Sequence, residues 1–299
     1  MIAAMNADDE IFSDEPLVRR LLKLHAPDWA ELQISRLQSS GTDNALYRLG
    51  ETLLMRLPRR LSAISLLEKE TVWLPQLTGL PLEVPKVRLA VCPSFEFEFG
   101  FTVFDWLDGD IAECQSLEDT EQAAQDMAQF LKALQVKSTV GAPVAGDCNH
   151  HRGVALSLLS TNTLEAIEGL ADEIDVKAAK NIWHEACALP FQGKPAWLHG
   201  DLKSDNLIAR EGRLSAVIDW GLCAVGDPAA DNSVAWSWVE PEARDVFQSE
   251  MDLDESEWLR AKGWALYGAA IALNYYRGGK NEALCEQSRR TLMRLGLYL

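Results

Sequence analysis

Apolar and polar positions alternate in two styles along this chain, and the change of style divides it. After Ser13-Asp14-Glu15-Pro16, which reads as a helix start, Val18, Leu21 and Leu22 recur at helical spacing up to Pro27. Short apolar runs then follow at residues 32–37, 45–49 and 53–57, with Gly50-Glu51 as a tight turn between the last two, which predicts strands. Residues 62–77 return to helical spacing through Ile64, Leu67, Val72 and Leu74, with Gly79 just past the end. Two more strands are expected at 84–91 and 95–107, the second because Glu96, Phe97, Glu98 and Phe99 alternate at period two. Beyond that point the pattern is mostly helical. Ser116-Leu117-Glu118-Asp119 resembles a capping box opening a helix to about Val136, residues 138–152 read as a loop, and helices are expected over 153–171 and 175–189. The change sets a boundary, with residues 1–106 forming a strand-rich unit and 107–299 a helix-rich one.

The helical half is interrupted once. From Trp197 to Gly221 the chain reads W-L-H-G-D-L-K-S-D-N-L-I-A-R-E-G-R-L-S-A-V-I-D-W-G, in which two apolar runs flank Glu211-Gly212, a hairpin turn signal. The hairpin should gather Asp201, Asn206 and Asp219, because Asp201 and Asn206 precede its first strand and Asp219 ends its second. Two carboxylates and an amide collected in this way suit phosphoryl transfer. That reaction asks for a carboxylate to orient a hydroxyl and for hard oxygen ligands to a divalent cation. The order H-G-D-x-x-x-x-N followed by D-W-G matches the spacing of the protein-kinase template. On this reading Asp201 orients the hydroxyl proton, Asn206 and Asp219 hold Mg²⁺, Lys203 places a charge on the γ-phosphate, and His199 braces the loop. The bland alternative is a set of ordinary turn residues, and it is opposed by the order and the flanking strands.

This stretch resembles the signature of the aminoglycoside phosphotransferase family, small-molecule kinases with a protein-kinase-like fold. Gly226-Asp227-Pro228-Ala229-Ala230-Asp231 continues the likeness, resembling that family's G-D-P-x-x-D element. The resemblance implies an α+β fold, with a five-stranded antiparallel sheet and helices followed by a mostly helical lobe. It also implies transfer of the γ-phosphoryl group of ATP or GTP, with Mg²⁺. The loop Ser39 to Asn44 would be the nucleotide-positioning loop, with Ser40, Gly41 and Asn44 as contacts, although a plain hairpin explains it equally. Arg56 stands where a protein kinase carries its strand lysine, with Glu70, or else Glu68, as its partner. Phe104-Asp105-Trp106-Leu107 resembles the interlobe linker, so Asp105, Trp106 and Leu107 would meet adenine through their backbone.

Composition narrows the partners. With 28 basic and 45 acidic residues the net charge is −17, which repels nucleic acids and anionic membranes. The first ten residues lack a basic, apolar leader pattern, and the longest apolar tract, near 264–273, is too short for a bilayer. The six cysteines are scattered without C-x-x-C pairing, so a reducing, cytoplasmic setting is the simplest expectation. A small-molecule acceptor is expected, with the protein a monomer or homodimer. Residues 240–257 carry eight acids against one base, and in families of this kind the C-terminal helices line the acceptor pocket. Asp231, Trp236, Glu240 and Glu242 are therefore acceptor candidates, and the acids suit a polycationic aminoglycoside, although a charge run is as easily a solvated face. A macrolide or a metabolite alcohol such as a sugar, choline or homoserine remains open. So does a nucleotide-binding module without transferase activity, which the intact Asp201, Asn206 and Asp219 oppose.

Overall fold

A computed structural model describes residues 11–38 and 43–299. Two compact units emerge, one reaching Thr78 and including Val84–Asp108, the other made of Gly79–Glu83 and Gly109–Leu299.

The first unit is a sheet packed against helices. Its elements are α1 (Glu15–His25), β1 (Ile34–Leu37), β2 (Asn44–Leu49), β3 (Leu53–Pro58), α2 (Leu61–Trp73), β4 (Val87–Val91) and β5 (Phe101–Asp105). The Asp14 carboxylate caps α1 by accepting the Leu17 amide at 2.8 Å. The helix then turns Val18, Leu21 and Leu22 onto Tyr47, Leu49, Met55, Leu57, Phe101 and Val103. The sheet is five-stranded and antiparallel, in the order β1-β2-β3-β5-β4. β3 sits in the middle and is buried at nearly every position, which is how Arg56 comes to lie inside the unit.

One strand is shorter than the alternation suggests. Residues 95–100 form a turn, in which the Ser94 amide donates to the Phe97 carbonyl at 3.0 Å. Gly100 has φ +68°, and a Cβ there would lie 2.7 Å from the Val91 carbonyl oxygen. Phe97 and Phe99 stack edge to face at 5.4 Å while Glu96 and Glu98 stay in solvent, so the period-two pattern serves a bend.

The second unit contains β6 (Asp110–Ile111), α3 (Thr120–Gln135), α4 (Ser160–Gly169), α5 (Val176–Cys187), β7 (Ala196–Leu198), β8 (Leu207–Arg210) and β9 (Arg213–Val217). It continues with β10 (Ala224–Gly226), α6 (Ala229–Asn232), α7 (Val234–Ser237), α8 (Arg244–Met251), α9 (Glu255–Tyr276) and α10 (Glu282–Arg294). The expected capping box is displaced: Asp119 alone caps α3, accepting the Gln122 amide at 2.9 Å, and Glu113 with Ser116 closes the short turn before it. The long α9 is the unit's axis, with α4, α5, α6 and α10 packed on it. Gly263 is where α9 passes closest to α5, since a Cβ there would collide with Ala186.

Candidate functional site

The hairpin of β8 and β9 closes through Glu211-Gly212, both at positive φ (51° and 72°), the geometry a two-residue turn needs. Ahead of it β7 pairs with β10, so that Leu198 faces Ala224 and the chain leaves β7 straight into His199. Gly200 has φ +86°, and a Cβ there would stand 2.5 Å from the Leu222 carbonyl oxygen. Only glycine fits between histidine and aspartate.

His199 is fully buried and locked. Its Nε2–H donates to the Ile218 carbonyl at 2.9 Å, its Nδ1 accepts the Asp201 amide at 3.2 Å, and its ring meets Trp220 edge-on at 4.8 Å. Those two bonds define the neutral Nε2–H tautomer and leave no nitrogen for proton transfer. Asp231 holds the same turn from below. Its carboxylate accepts the His199 amide at 2.6 Å and the Gly200 amide at 2.8 Å, with the residue 1% exposed. Burial pushes the Asp231 carboxyl up from its ordinary value, and the two amide bonds oppose the shift.

Asp201 comes next. Its Oδ2 receives Lys203 Nζ at 3.0 Å and Asn206 Nδ2 at 3.0 Å, while Asn206 Nδ2 also donates to the Asp201 carbonyl at 2.8 Å. Oδ1 accepts no hydrogen bond from the described residues. Burial acts to raise this carboxyl, but the charge of Lys203, then that of Arg152, then the Lys203 bond outweigh it and bring it down to about 2. Lys203 is raised in turn, chiefly by Asp201, with Asp219 and Asp205 adding to it. The Asn206 side chain uses its amide hydrogens on Asp201, so its Oδ1, which accepts nothing from the described residues, is turned to other work. Asp219 follows β9 in the left-handed region (φ 65°, ψ 67°), and the Ile218 amide donates to the Asn206 carbonyl at 2.9 Å, which fixes Asp219 relative to Asn206. A carbonyl-type oxygen and a carboxylate held this way are a hard-oxygen pair suited to Mg²⁺, with remaining positions left for water or phosphate.

In the first unit Arg56 Nη1 reaches Glu70 Oε1 at 2.9 Å and Oε2 at 2.8 Å, both residues being buried, while Glu68 faces solvent. Ser40 and Gly41 lie outside the described residues. Asn44 begins β2 opposite Pro58, with its side-chain Oδ1 buried and without a hydrogen-bond partner among the described residues. Of the linker residues, the Asp105 amide donates to the Lys86 carbonyl at 3.0 Å and the Trp106 amide to the Thr52 carbonyl at 2.8 Å. Neither amide is free for a base. The Leu107 amide has no hydrogen-bond acceptor among the described residues.

Two of the four acceptor candidates, Asp231 and Trp236, need correction. Asp231 is enclosed beneath the Asp201 turn and offers no oxygen to a ligand. Trp236 is 3% exposed and lies against Trp258 at 4.4 Å, because α7 tucks under α9. Glu240 pairs with Arg294 at 2.7 Å, and Glu242 is exposed. Asp254 and Glu257 form the capping box of α9. Within the acidic run Glu240 is thus held in an ion pair, Asp254 and Glu257 in a cap, and Glu242 stands at the surface. Sequence reasoning missed three residues. Arg260 of α9 forms a buried ion pair with Asp227 at 3.0 Å, Gln287 of α10 donates to Asp205 at 2.7 Å, and Arg152 acts on Asp201. None has a local signal, since each meets its partner only through tertiary packing.

The sequence profile of the phosphotransferase enzyme family matches residues 35–264. An aminoglycoside 3'-phosphotransferase of Escherichia coli is 28% identical over 118 residues, 39% of this chain and 43% of that protein. The chain thus spans under half the length of the curated relatives it matches. Among solved structures, the GDP and kanamycin complex of APH(2")-IIia superposes with a TM-score of 0.72 at 17% identity, covering 93% of this chain and 98% of that one. A macrolide 2'-phosphotransferase type I superposes at 0.64 with 18% identity, covering 94% and 98%. The fold is therefore the kinase-like α+β fold of small-molecule phosphotransferases. The chain belongs to the phosphotransferase enzyme family.

Proposed function

We propose that this protein transfers the γ-phosphoryl group of ATP or GTP to a hydroxyl of a small molecule, with an aminoglycoside-type acceptor as the first reading. The observation that carries the reaction is the Asp201 carboxylate, ionised and held at Oδ2 by Lys203 and Asn206, with Oδ1 left to receive a hydroxyl proton. Asn206 and Asp219 would hold Mg²⁺, which when bound neutralises charge on the transferred group. Asp201 orients the attacking hydroxyl and accepts its proton. Lys203 bridges the base to the phosphate side, and His199 with Asp231 keeps the turn rigid. In the strand-rich unit Arg56, fixed by Glu70, contacts the phosphates of the nucleotide, and the Leu107 amide is the linker donor for its base. Such a nucleotide-consuming enzyme fits the cytoplasm, and no helix among the described residues is long and apolar enough to cross a membrane.

A second reading of the acceptor, a metabolite alcohol without ammonium groups, is favoured by the dispersal of the acidic run and by the placement of Arg152 near Asp201. The test of the reaction is Asp201→Asn with purified protein, Mg·ATP and a panel of aminoglycosides, macrolides and metabolite alcohols, products being read by mass spectrometry. Turnover should fall by at least ~10²-fold with nucleotide affinity kept, the scale for loss of a positioned acid–base group. Near-normal turnover by the variant would remove Asp201 from the role of base.

A further inference from the structure

The turn that carries Asn206 is too short to hold itself. Ser204–Asn206 is one turn of 3₁₀ helix, closed by the Asn206 amide on the Lys203 carbonyl at 3.0 Å and followed by the Leu207 amide on the Ser204 carbonyl. Such turns have poor hydrogen-bond geometry, and three residues per turn point successive side chains about 120° apart. Any rotation of the turn therefore swings the Asn206 side chain off Asp201, to which its amide is bonded. Two side chains from later helices grip the segment from outside. Ser237 of α7 donates to the Leu202 carbonyl at 3.3 Å, and Gln287 of α10 donates from Nε2 to Asp205 Oδ1 at 2.7 Å. The second bond ends on the residue next to Asn206.

Gln287 is itself well placed by α10. The helix buries Cys285, Ser288, Thr291 and Leu292 and packs on α9, while the Thr291 hydroxyl donates to the Gln287 carbonyl at 3.1 Å. Arg290 and Arg294 follow Gln287 at helical spacing, and they pair with Glu113 at 3.2 Å and Glu240 at 2.7 Å. Three polar tethers thus run from α10 to three separate segments, and the one that reaches the Asn206 turn is uncharged. Chemistry gives a reason for the difference. A cation at position 287 would place positive charge against Asp205, beside a residue read as a ligand of a divalent cation. Glutamine supplies the donor without the charge, and because its acceptor is a carboxylate the bond is still short and strong.

Resting on the reading of Asn206 as a metal ligand, we propose that Gln287 is a positioning residue: through Asp205 it fixes the Ser204–Asn206 turn and keeps Asn206 in the orientation that leaves its Oδ1 for Mg²⁺. Its effect passes through the turn, and α10 becomes part of the support of the metal site.

The experiment measures the affinity of Mn²⁺, used in place of Mg²⁺ and followed by electron paramagnetic resonance, for the full chain in excess over a non-hydrolysable ATP analogue. Gln287→Leu should weaken Mn²⁺ binding by about tenfold, the low end for loss of a group that orients a metal ligand, with metal-free affinity for the analogue kept. Asp205→Leu should weaken it equally and the double variant no further, because two groups that act through one bond do not add. Asp205→Asn, which retains an acceptor oxygen, should keep most of the wild-type affinity. Undiminished Mn²⁺ binding by Gln287→Leu would overturn the assignment, and so would single effects that add in the double variant. Should Gln287→Leu fail to fold, the two Asp205 variants decide: equal loss in both, or no loss in Asp205→Leu, would overturn it. Asn206→Ala separates the two readings. If it weakens Mn²⁺ binding and Gln287→Leu does not, the positioning role fails alone; if it binds Mn²⁺ as wild type does, the metal assignment fails and takes the positioning role with it.

Discussion

At the scale of single residues, the site depends on how opposing effects on one carboxylate resolve. Burial favours the neutral form of Asp201, and the nearby cations favour the ionised form strongly enough to bring it to about 2. The folded value lies below the unfolded one of about 3.9, so this carboxylate contributes stability above that pH, lost as the pH falls toward about 2. For catalysis, the base is ionised throughout the neutral range, and kcat/KM should show no acid limb from Asp201 above about pH 4. Lys203→Met removes the largest charge opposing burial. The carboxyl should then rise, and an acid limb should enter the measurable range while the maximal rate also falls. A pH profile of kcat/KM for the two proteins checks this. A variant profile that keeps the wild-type shape would mean that Lys203 does not set the ionisation of Asp201.

Among elements, the hairpin and its donors were legible in the sequence because their chemistry is local. A two-residue turn at Glu211-Gly212 joins two apolar runs, and Asp201, Asn206 and Asp219 are tied to its ends by backbone bonds. Arg56 and Glu70 were legible for a similar reason, since one occupies the buried central strand and the other the inward face of α2. Asp231 was not. In sequence it is an acid on a short helix near an acidic run, and only tertiary packing brings it beneath two amides at His199 and Gly200. Arg152 was missed because its loop reads as surface, with nothing in its neighbours to announce that Asn149 ties its carbonyl or that its guanidinium lies over the Tyr267 ring. Packing between elements also predicts a stability effect. Arg260 joins α9 to the start of α6 through Asp227, at 6% and 4% side-chain exposure. Arg260→Met would leave Asp227 buried with only the Ala229 amide as a bonded partner, a loss of about 3–5 kcal/mol. Burial already raises Asp227, and removing its cation raises it further. A carboxyl raised in the folded state costs stability once the pH exceeds its unfolded value, so the deficit should be larger at pH 8 than at pH 5. Urea denaturation at the two values measures it, and a deficit under about 1 kcal/mol at both would show the pair to be replaceable.

For the whole molecule the governing quantity is charge. A net −17 spread over 299 residues means that the compact state works against its own repulsion, whatever the site contains. Two effects of salt then compete. Screening weakens exposed ion pairs such as Arg19 with Glu15 and Arg277 with Asp172, and each of those is worth only about 0.2–1 kcal/mol. Screening also weakens every unfavourable pairing among the excess acids, and that relief grows as the Debye length contracts from ~30 Å at 0.01 M to ~8 Å at 0.15 M. At the lower ionic strength the repulsion acts across a whole domain, at the higher one only between neighbours. The relief should win. Without nucleotide or acceptor, the melting temperature should therefore rise between those two ionic strengths, and by the same amount in sodium and potassium chloride because no specific site is involved. A melting temperature that fell with salt would mean that the ion pairs outweigh the repulsion. A rise in Mg²⁺ beyond that in sodium chloride at matched ionic strength would instead report binding at particular carboxylates, and its loss in Asp219→Ala would locate it.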